Sequence, residues 1–366
     1  MRLRSLMPLA TRRKVRAAKL VVFTRQVATM VGAGMPLLRS LKILEEQEEG
    51  RTLRGVIREI GFSIENGGSF SEAIAFYPKI FNPLYVNLVR AGESAGALEL
   101  ALHRLAEFME KTEKIKGKVK AALVYPCAVL VVATGITGLL MTFIVPRFRV
   151  VFEGLLDGAA LPAFTRFVFE LSGLLVQRLP FVLLAGAAVA CVFIMGIRTK
   201  LGRRWFDRVK LSLPIVGPLF RKAAISRFAR TFGTLAGSGV PILQALTIVE
   251  GTAGNSIIGD VIARMHEQVK QGDPIAPGLK ASGVFPAMVA GLVDVGEQTG
   301  ALPELLMKIA DNYEDEFDNA VSGLTSLLEP ILILILAVIV GSIVVAMFLP
   351  LITIATGLGG AGPGRM

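Results

Sequence analysis

Two short segments of the chain repeat one pattern and place a carboxylate beside a glycine. Gly92–Leu98 reads GESAGAL, and Gly296–Leu302 reads GEQTGAL. A carboxylate held in a turn could bind a cation or a basic partner, and this hypothesis assigns that role to Glu93 and Glu297.

The alternative to a binding role is a turn between two helices. Glycine adopts positive φ without a steric penalty, so Gly96 and Gly300 could each end a helix in the left-handed conformation. Each glutamate would then lie near the N-terminus of the following helix and stabilise its dipole. The residue types favour this turn, with Gly92, Glu93, Gly96 and Leu98 matching Gly296, Glu297, Gly300 and Leu302.

A further carboxylate, Glu329, immediately precedes Pro330 at the start of an apolar stretch. Ionisable groups within a membrane span are costly and often functional. A position at the membrane surface, beside a proline that begins a helix, would be inexpensive. Both interpretations stay open from the sequence.

The sequence contains no motif typical of catalysis or of cofactor and metal binding. It has two histidines, His103 and His266, and two cysteines, Cys127 and Cys191, whose separations fit no zinc motif. A glycine-rich phosphate loop is also absent. We therefore expect no enzymatic activity, no cofactor and no metal ion.

The candidate residues belong to an internal repeat. Residues 23–44 and 228–249 are identical at nine of 22 positions at a spacing of 205 residues. Further pairs follow in the same order at a spacing of 204: the two GExxGAL segments, Tyr125-Pro126 with Glu329-Pro330, and Pro146 with Pro350. The chain is therefore predicted to contain two copies of one unit, 23–146 and 228–350.

Each copy is predicted to be a helix bundle followed by one apolar stretch. Apolar residues recur at helical spacing, and GxGxP at 32–36 and 237–241 should end one helix and begin the next. The expected fold class is all-α: an integral membrane protein with two repeated cytoplasmic bundles and three transmembrane helices. The bundles are assigned to 23–120 and 198–327.

Three apolar stretches are long enough to cross a membrane: 121–145, 179–197 and 328–355. The middle stretch is the shortest. It is needed because each repeat ends in one membrane crossing. Both bundles can lie on the same side of the membrane only if an additional span brings the chain back between them. The remaining segments are a basic N-terminal segment (1–22), a periplasmic loop (146–178) and a short periplasmic tail (356–366).

The distribution of charge predicts the orientation. The chain is 53% hydrophobic with a net charge of +11, and its basic residues cluster beside the apolar stretches. Five lysines precede the first stretch, between residues 111 and 120, and eight Lys and Arg follow the second, between 198 and 222. Because such residues stay cytoplasmic, the N-terminus should be cytoplasmic and the C-terminus periplasmic. We expect no nucleic-acid partner, since no basic motif carries interleaved aromatic residues.

Taken together, the motifs resemble the integral inner-membrane platform proteins of type II secretion and type IV pilus machines, the GspF/PilC family. The resemblance covers 23–351. It rests on the paired FxRxxxxxxGxGxP and GExxGAL blocks, Tyr125-Pro126 and Glu329-Pro330, VPRF at 145–148 and the LEPILI…MFLP run at 328–350.

The resemblance implies a non-enzymatic platform in the bacterial inner membrane. Such a platform couples a cytoplasmic hexameric ATPase to insertion of pilin or pseudopilin and to protein secretion. The resemblance also implies contact with other inner-membrane assembly proteins and a homo-dimer or higher homo-oligomer. The alternative is a membrane transporter or channel of unknown substrate. Transport is disfavoured because the three apolar stretches contain no Asp, Glu, Lys, Arg or His in their interior.

Two charged segments allow more than one interpretation. The acidic run Glu314, Asp315, Glu316 and Asp318 is predicted to be a solvated helix face, with a docking surface for a basic partner as the alternative. The basic segment Arg198–Lys210 is expected to bind anionic membrane lipid.

Overall fold

The computed structural model describes residues 15–155, 161–214 and 216–359, and α-helix is the dominant structure throughout them. No strand occurs in these ranges, which confirms the predicted all-α class. The α-helices are α1 Ala17–Gly32, α2 Leu37–Gln47, α3 Arg51–Glu65, α4 Phe70–Ala75, α5 Pro83–Ser94, α6 Leu98–Leu139, α7 Val145–Leu155, α8 Ala163–Arg198, α9 Lys200–Ser212, α10 Gly217–Gly237, α11 Ile242–Thr252, α12 Ser256–Lys270, α13 Ile275–Ala281, α14 Ala287–Thr299 and α15 Leu302–Gly359.

The chain divides into two compact units. The first contains Lys118 and the described residues before it, together with Arg204–Ala320. The second contains Val119–Arg203, together with Val321 and the described residues after it. Helices α6 and α15 contribute residues to both units.

The first unit contains the same series of helices twice. Helices α1–α5 and the start of α6 correspond in order to α10–α14 and the start of α15. The GxGxP segments separate the first two helices of each series, and Gly34 and Gly239 have φ values of 79° and 78°. Because this conformation is strained for residues with a side chain, glycine is required at both turns.

Each series buries apolar residues at helical spacing. In α3 the buried side chains include Leu53, Val56, Ile57 and Ile60. The same positions of α12 are occupied by Ile258, Val261, Ile262 and Met265. This i, i+3, i+4, i+7 pattern forms one apolar stripe on a helix, so the duplicated sequence builds a duplicated core.

Within the described residues, two helical stretches are long and apolar enough to cross a membrane, at 98–154 and 302–353. They contain the first predicted span and most of the third. The middle candidate, 179–197, forms the second half of α8. Several of its side chains lie outside the described part of the chain, and its role as a span stays a prediction.

The structure differs from the sequence analysis in where helices end. Much of the expected loop 146–178 is helical, since α7 and the first half of α8 lie there. Pro330 was expected to begin a helix, yet both Pro330 and Pro350 lie inside α15. A proline can stay inside a helix in an apolar environment, because neighbouring groups satisfy the backbone that it leaves unpaired. The expected tail, 356–366, lies largely outside the described residues.

Pro350 removes one hydrogen bond from α15. It has no N–H, so the carbonyl of Ala346, four residues earlier, loses its donor. The Oγ1 of Thr165 donates to that carbonyl at 2.7 Å, and both residues are fully buried. A hydroxyl from the first turn of α8 thus replaces the missing bond.

The equivalent proline of the first repeat, Pro146, follows a π-helical turn at Leu140–Ile144. The N–H of Val145 donates to the carbonyl five residues before it, which is the π-helical pattern. Pro146 cannot make the next bond of this series, to the carbonyl of Met141. The Oγ of Ser172, on α8, donates to the Met141 carbonyl instead.

We expect Thr165→Val to destabilise the second unit, because valine keeps the shape of threonine but leaves the Ala346 carbonyl without a donor. The expected loss in the free energy of unfolding is about 0.5–2 kcal/mol. Thr142→Val is the control, because the Thr142 hydroxyl donates at 2.8 Å to a carbonyl of its own helix and should matter little. Urea unfolding of the full chain in detergent would measure both, and an equal loss would contradict the assigned role.

Candidate partner-contact site

The first GExxGAL segment joins α5 to α6. Gly96 has a φ of 66°, and the N–H of Ala97 donates to the Gly92 carbonyl at 2.8 Å, which closes the turn. Gly92 lies against the start of α6. A Cβ at this position would be 2.4 Å from the Cβ of Ala101 and 3.2 Å from the Cα of Leu98. Gly96 therefore permits the turn, and Gly92 permits α5 and α6 to approach closely.

The second segment repeats this geometry between α14 and α15. Gly300 ends α14 with a φ of 73°. A Cβ on Gly296 would lie 2.9 Å from the Cα of Leu302, which is buried in the core. The turn interpretation therefore accounts for the glycines and the leucine of both segments.

The carboxylate of Glu93 binds a helix N-terminus, but not that of the following helix as the sequence analysis expected. Its two oxygens accept hydrogen bonds from the N–H groups of Phe70 at 2.6 Å and Ser71 at 3.0 Å. The hydroxyl of Ser69 accepts the next N–H, that of Glu72. Glu93 and Ser69 together satisfy the first three N–H groups of α4, which no intrahelical carbonyl can reach.

Glu297 makes the equivalent contact in the second repeat. Its oxygens accept from the N–H of Ile275 at 2.8 and 3.0 Å and from that of Ala276 at 3.1 Å, at the start of α13. Both glutamates are half-buried. Because these carboxylates already accept backbone hydrogen bonds, the structure favours a structural role for them over an ion or partner site.

The double substitution Glu93→Gln and Glu297→Gln is expected to destabilise the first unit by about 1–2 kcal/mol for each site. Glutamine keeps the volume but removes the charge and one acceptor oxygen. Glu46→Gln is the matched control, since Glu46 is exposed near the end of α2. Thermal unfolding of the full chain would give the comparison. Unchanged stability, accompanied by loss of a bound partner, would instead support a docking role.

Glu329 lies in the second unit and is exposed. Its Oε1 accepts a hydrogen bond from the Oη of Tyr125 at 3.3 Å. Tyr125 and Glu329 occupy the same position in the two repeats, each directly before a proline. The structure therefore pairs the two repeats at equivalent positions, and a functional role for Glu329 and Pro330 stays a prediction.

The second repeat contains a buried ion pair that was not predicted from the sequence. The side chain of Arg230 is 5% exposed, and its guanidinium contacts Glu314 at 2.7 Å and Asp311 at 2.6 Å. These contacts join α10 to α15. The signal in the sequence was the arginine of the FxR motif, which occurs at the same position in both repeats.

The first repeat has the equivalent pair in a more exposed position. Arg25 donates to Glu110 at 2.6 Å, and the side chains are 31% and 42% exposed. The hydrogen bond from Arg25 lowers the pKa of the Glu110 carboxyl. Burial raises the pKa of Asp311, but hydrogen bonds from Arg230 and Lys111 outweigh it, and the pKa lies below its usual value.

The acidic run on α15 binds basic residues of the same chain. Glu314 contacts Arg230, Glu316 contacts Lys222 at 3.0 Å, and Asp318 pairs with Lys118 of α6. The expectation of a solvated acidic face is therefore wrong for Glu314, whose side chain is 14% exposed, while Glu316 and Asp318, at 41% and 28%, form ion pairs that water still reaches. Their partners also leave less charge for a basic docking partner.

Among the described residues, no group of three or more His, Cys, Asp or Glu side chains is placed to hold a metal ion. The candidate residues thus form helix turns, helix caps and ion pairs, arranged twice in one chain.

The family model described as Type II secretion system (T2SS), protein F matches residues 23–146 and 228–350. The chain belongs to this family. The two matched ranges are the two copies of the internal repeat, and the resemblance drawn from the sequence motifs is confirmed.

Relatives in this family carry names from two kinds of machine. The type IV pilus assembly protein PilC of Thermus thermophilus is 47% identical, over 92% of this chain and 82% of the relative. PilC of Pseudomonas aeruginosa is 39% identical, over 95% and 92%. The type II secretion system protein F of Vibrio cholerae is 32% identical, over 94% and 84%.

Proposed function

We propose that the protein is a non-enzymatic assembly platform of a type IV pilus or type II secretion machine in a bacterial inner membrane. The observation that carries the proposal is the family match over both repeats, with relatives named for pilus assembly and for type II secretion. The pilus assembly proteins of Thermus thermophilus and Pseudomonas aeruginosa share more identity with the chain than the secretion protein of Vibrio cholerae does, which favours a pilus machine.

The proposed topology places both bundles in the cytoplasm, the C-terminus in the periplasm and three spans in the membrane. The lysine cluster before the first apolar stretch supports this orientation. Helix α9 also supports this orientation, because it exposes Trp205 and Arg208. Its buried side attaches it to the second bundle, where Asp207 accepts a hydrogen bond from the N–H of Ser256 at 2.9 Å. An exposed tryptophan beside basic residues suits an anionic lipid surface.

Cysteine labelling tests the topology. In a chain with Cys127 and Cys191 replaced by serine, Gln47→Cys and Gln271→Cys each place an exposed thiol on one bundle. A membrane-impermeant reagent should label neither position in intact cells and both after the inner membrane is opened. Labelling of either position from the periplasm would refute the arrangement.

The proposed activity is to pass force from a cytoplasmic hexameric ATPase to a pilin or pseudopilin and to other inner-membrane assembly proteins. Helices α6 and α15 suit this role, because each is one continuous element with residues in both units. Ion pairs between Lys111 and Asp311 and between Lys118 and Asp318 join the two helices. Helices tied together in this way resist bending more than either would alone.

Co-purification tests the ATPase contact. The full chain, isolated from native membranes in mild detergent, should retain the assembly ATPase of its host. The chain reconstituted in liposomes should show no flux of small solutes. Solute flux without ATPase capture would favour the transporter or channel.

A further inference from the structure

The two bundles of the first unit contact each other through unlike surfaces. The Nε2 of Gln244, on α11, donates to the Oδ1 of Asn87, on α5, at 2.8 Å. Arg104, near the start of α6, donates to the hydroxyl of Ser238, just after α10, at 3.4 Å. One surface consists of α5 and the start of α6, which we call the α5-type face. The other consists of the end of α10 and the start of α11, which we call the α11-type face.

Each repeat has both kinds of face, because the helices are duplicated. The contact within the chain uses the α5-type face of the first repeat and the α11-type face of the second. The second repeat keeps its own α5-type face, where Gly291 and Lys308 replace Asn87 and Arg104. The first repeat keeps its α11-type face.

Both remaining faces are exposed. On the first repeat, Ala33 and Arg39 take the positions of Ser238 and Gln244, and both are exposed. On the second repeat, Gly291 and Lys308 are exposed as well. A contact between unlike surfaces occupies only one of the two faces of each repeat. The other face of each repeat can therefore bind a further copy of the chain.

The chemistry of the remaining faces is complementary. Helix α14 exposes Met288 and Val295, by 58% and 50%, on either side of Gly291. Gly291 carries no side chain, so another helix can approach α14 closely there. Asp294 is exposed one turn further along. The opposing α11-type face presents Arg39, which would lie over Gly291 and within reach of Asp294 if the contact within the chain were reproduced.

We propose that the α5-type face of the second repeat binds the α11-type face of the first repeat in another copy of this chain. Copies then join head to tail, in a ring or an open series, through the same pair of faces that joins the two repeats, with Arg39 and Asp294 in place of the two hydrogen bonds. The role of such an assembly in a platform rests on the proposed function, but the contact itself rests on the repeat geometry.

Cysteine cross-linking in native membranes tests this contact. The full chain, with Cys127 and Cys191 replaced by serine, would carry either Arg39→Cys or Gly291→Cys. A Cβ at Gly291 meets no atom within 4 Å, so cysteine fits there. When the two variants are expressed together, oxidation should give a band at twice the mass of the chain. Each variant expressed alone should give none.

A control within the chain validates the assay. Asn87→Cys with Gln244→Cys in one chain should form a cross-link that leaves the mass of a single chain. With that control positive, absence of the double-mass band from the mixture would overturn the proposal. A double-mass band from either variant alone would also overturn it, because it requires a symmetric contact. The assay does not depend on pilus or secretion output, so failure of the proposed function would be seen separately.

Discussion

Replacing Arg230 by methionine is expected to lower the free energy of unfolding of the first unit by about 3 kcal/mol. Methionine has a similar length but no charge, so the carboxylates of Glu314 and Asp311 lose their buried partner. The Glu314 side chain is only 14% exposed, and water cannot fully replace the guanidinium. Glu314 would keep only Lys111, at 3.7 Å, and a largely buried carboxylate left with this one distant cation is the main source of the loss.

Arg25→Met is the matched control, since Arg25 occupies the same position in the first repeat. Its pair with Glu110 is partly exposed, and the expected loss is at most about 1 kcal/mol. Urea unfolding of the full chain in detergent, followed by the loss of helical circular dichroism, compares the two variants. Equal losses would show that burial does not set the strength of the duplicated pair.

Gly92→Ala is expected to destabilise the first unit by about 1–3 kcal/mol, although alanine normally favours a helix. The added Cβ would lie 2.4 Å from the Cβ of Ala101, and the backbone of α6 lies just beyond. The neighbour is a short side chain fixed to a helix, so it cannot rotate away. Relief of the overlap requires α5 and α6 to separate.

Gly55→Ala provides the control for this substitution. Gly55 lies within α3, and a Cβ there meets no atom within 4 Å. The expected change is a gain of up to about 1 kcal/mol, because alanine loses less backbone entropy on folding. Thermal unfolding of both variants decides the matter, and a neutral result for Gly92→Ala would contradict the close approach of α5 and α6.

The sequence predicted what depends on local patterns. Apolar spacing indicated the helices, and matching motifs indicated the duplication. The turns at Gly96 and Gly300 followed from the conformational freedom of glycine. The helices and turns depend on residues only a few positions apart, and the duplication follows from direct comparison of two segments, so the sequence contains the necessary information.

Contacts between distant residues could not be predicted in the same way. Glu93 was assigned to the nearest helix N-terminus along the chain, whereas it caps α4, which begins 23 residues before it. Arg230 lies 84 residues from Glu314, and nothing local indicates that they meet. The packing of the helices determines these pairs.

The prolines show a different limit. A proline ends most helices in water, because it has no N–H to donate and its ring clashes with the carbonyl four residues earlier. Pro350 lies inside α15, where Thr165 from another helix binds the free carbonyl. The donor comes from a segment expected to be a loop. The rule for helix ends therefore fails where a neighbouring helix supplies a donor for the free carbonyl.

The proposed platform function is tested most directly by deleting the gene in its host and measuring assembled pili or secreted substrate. Output should be lost while the ATPase and the pilin or pseudopilin are still made, and the full chain should restore it. Continued assembly or secretion in the deletion strain, in a cell without a second member of this family, would show that the protein is not the platform.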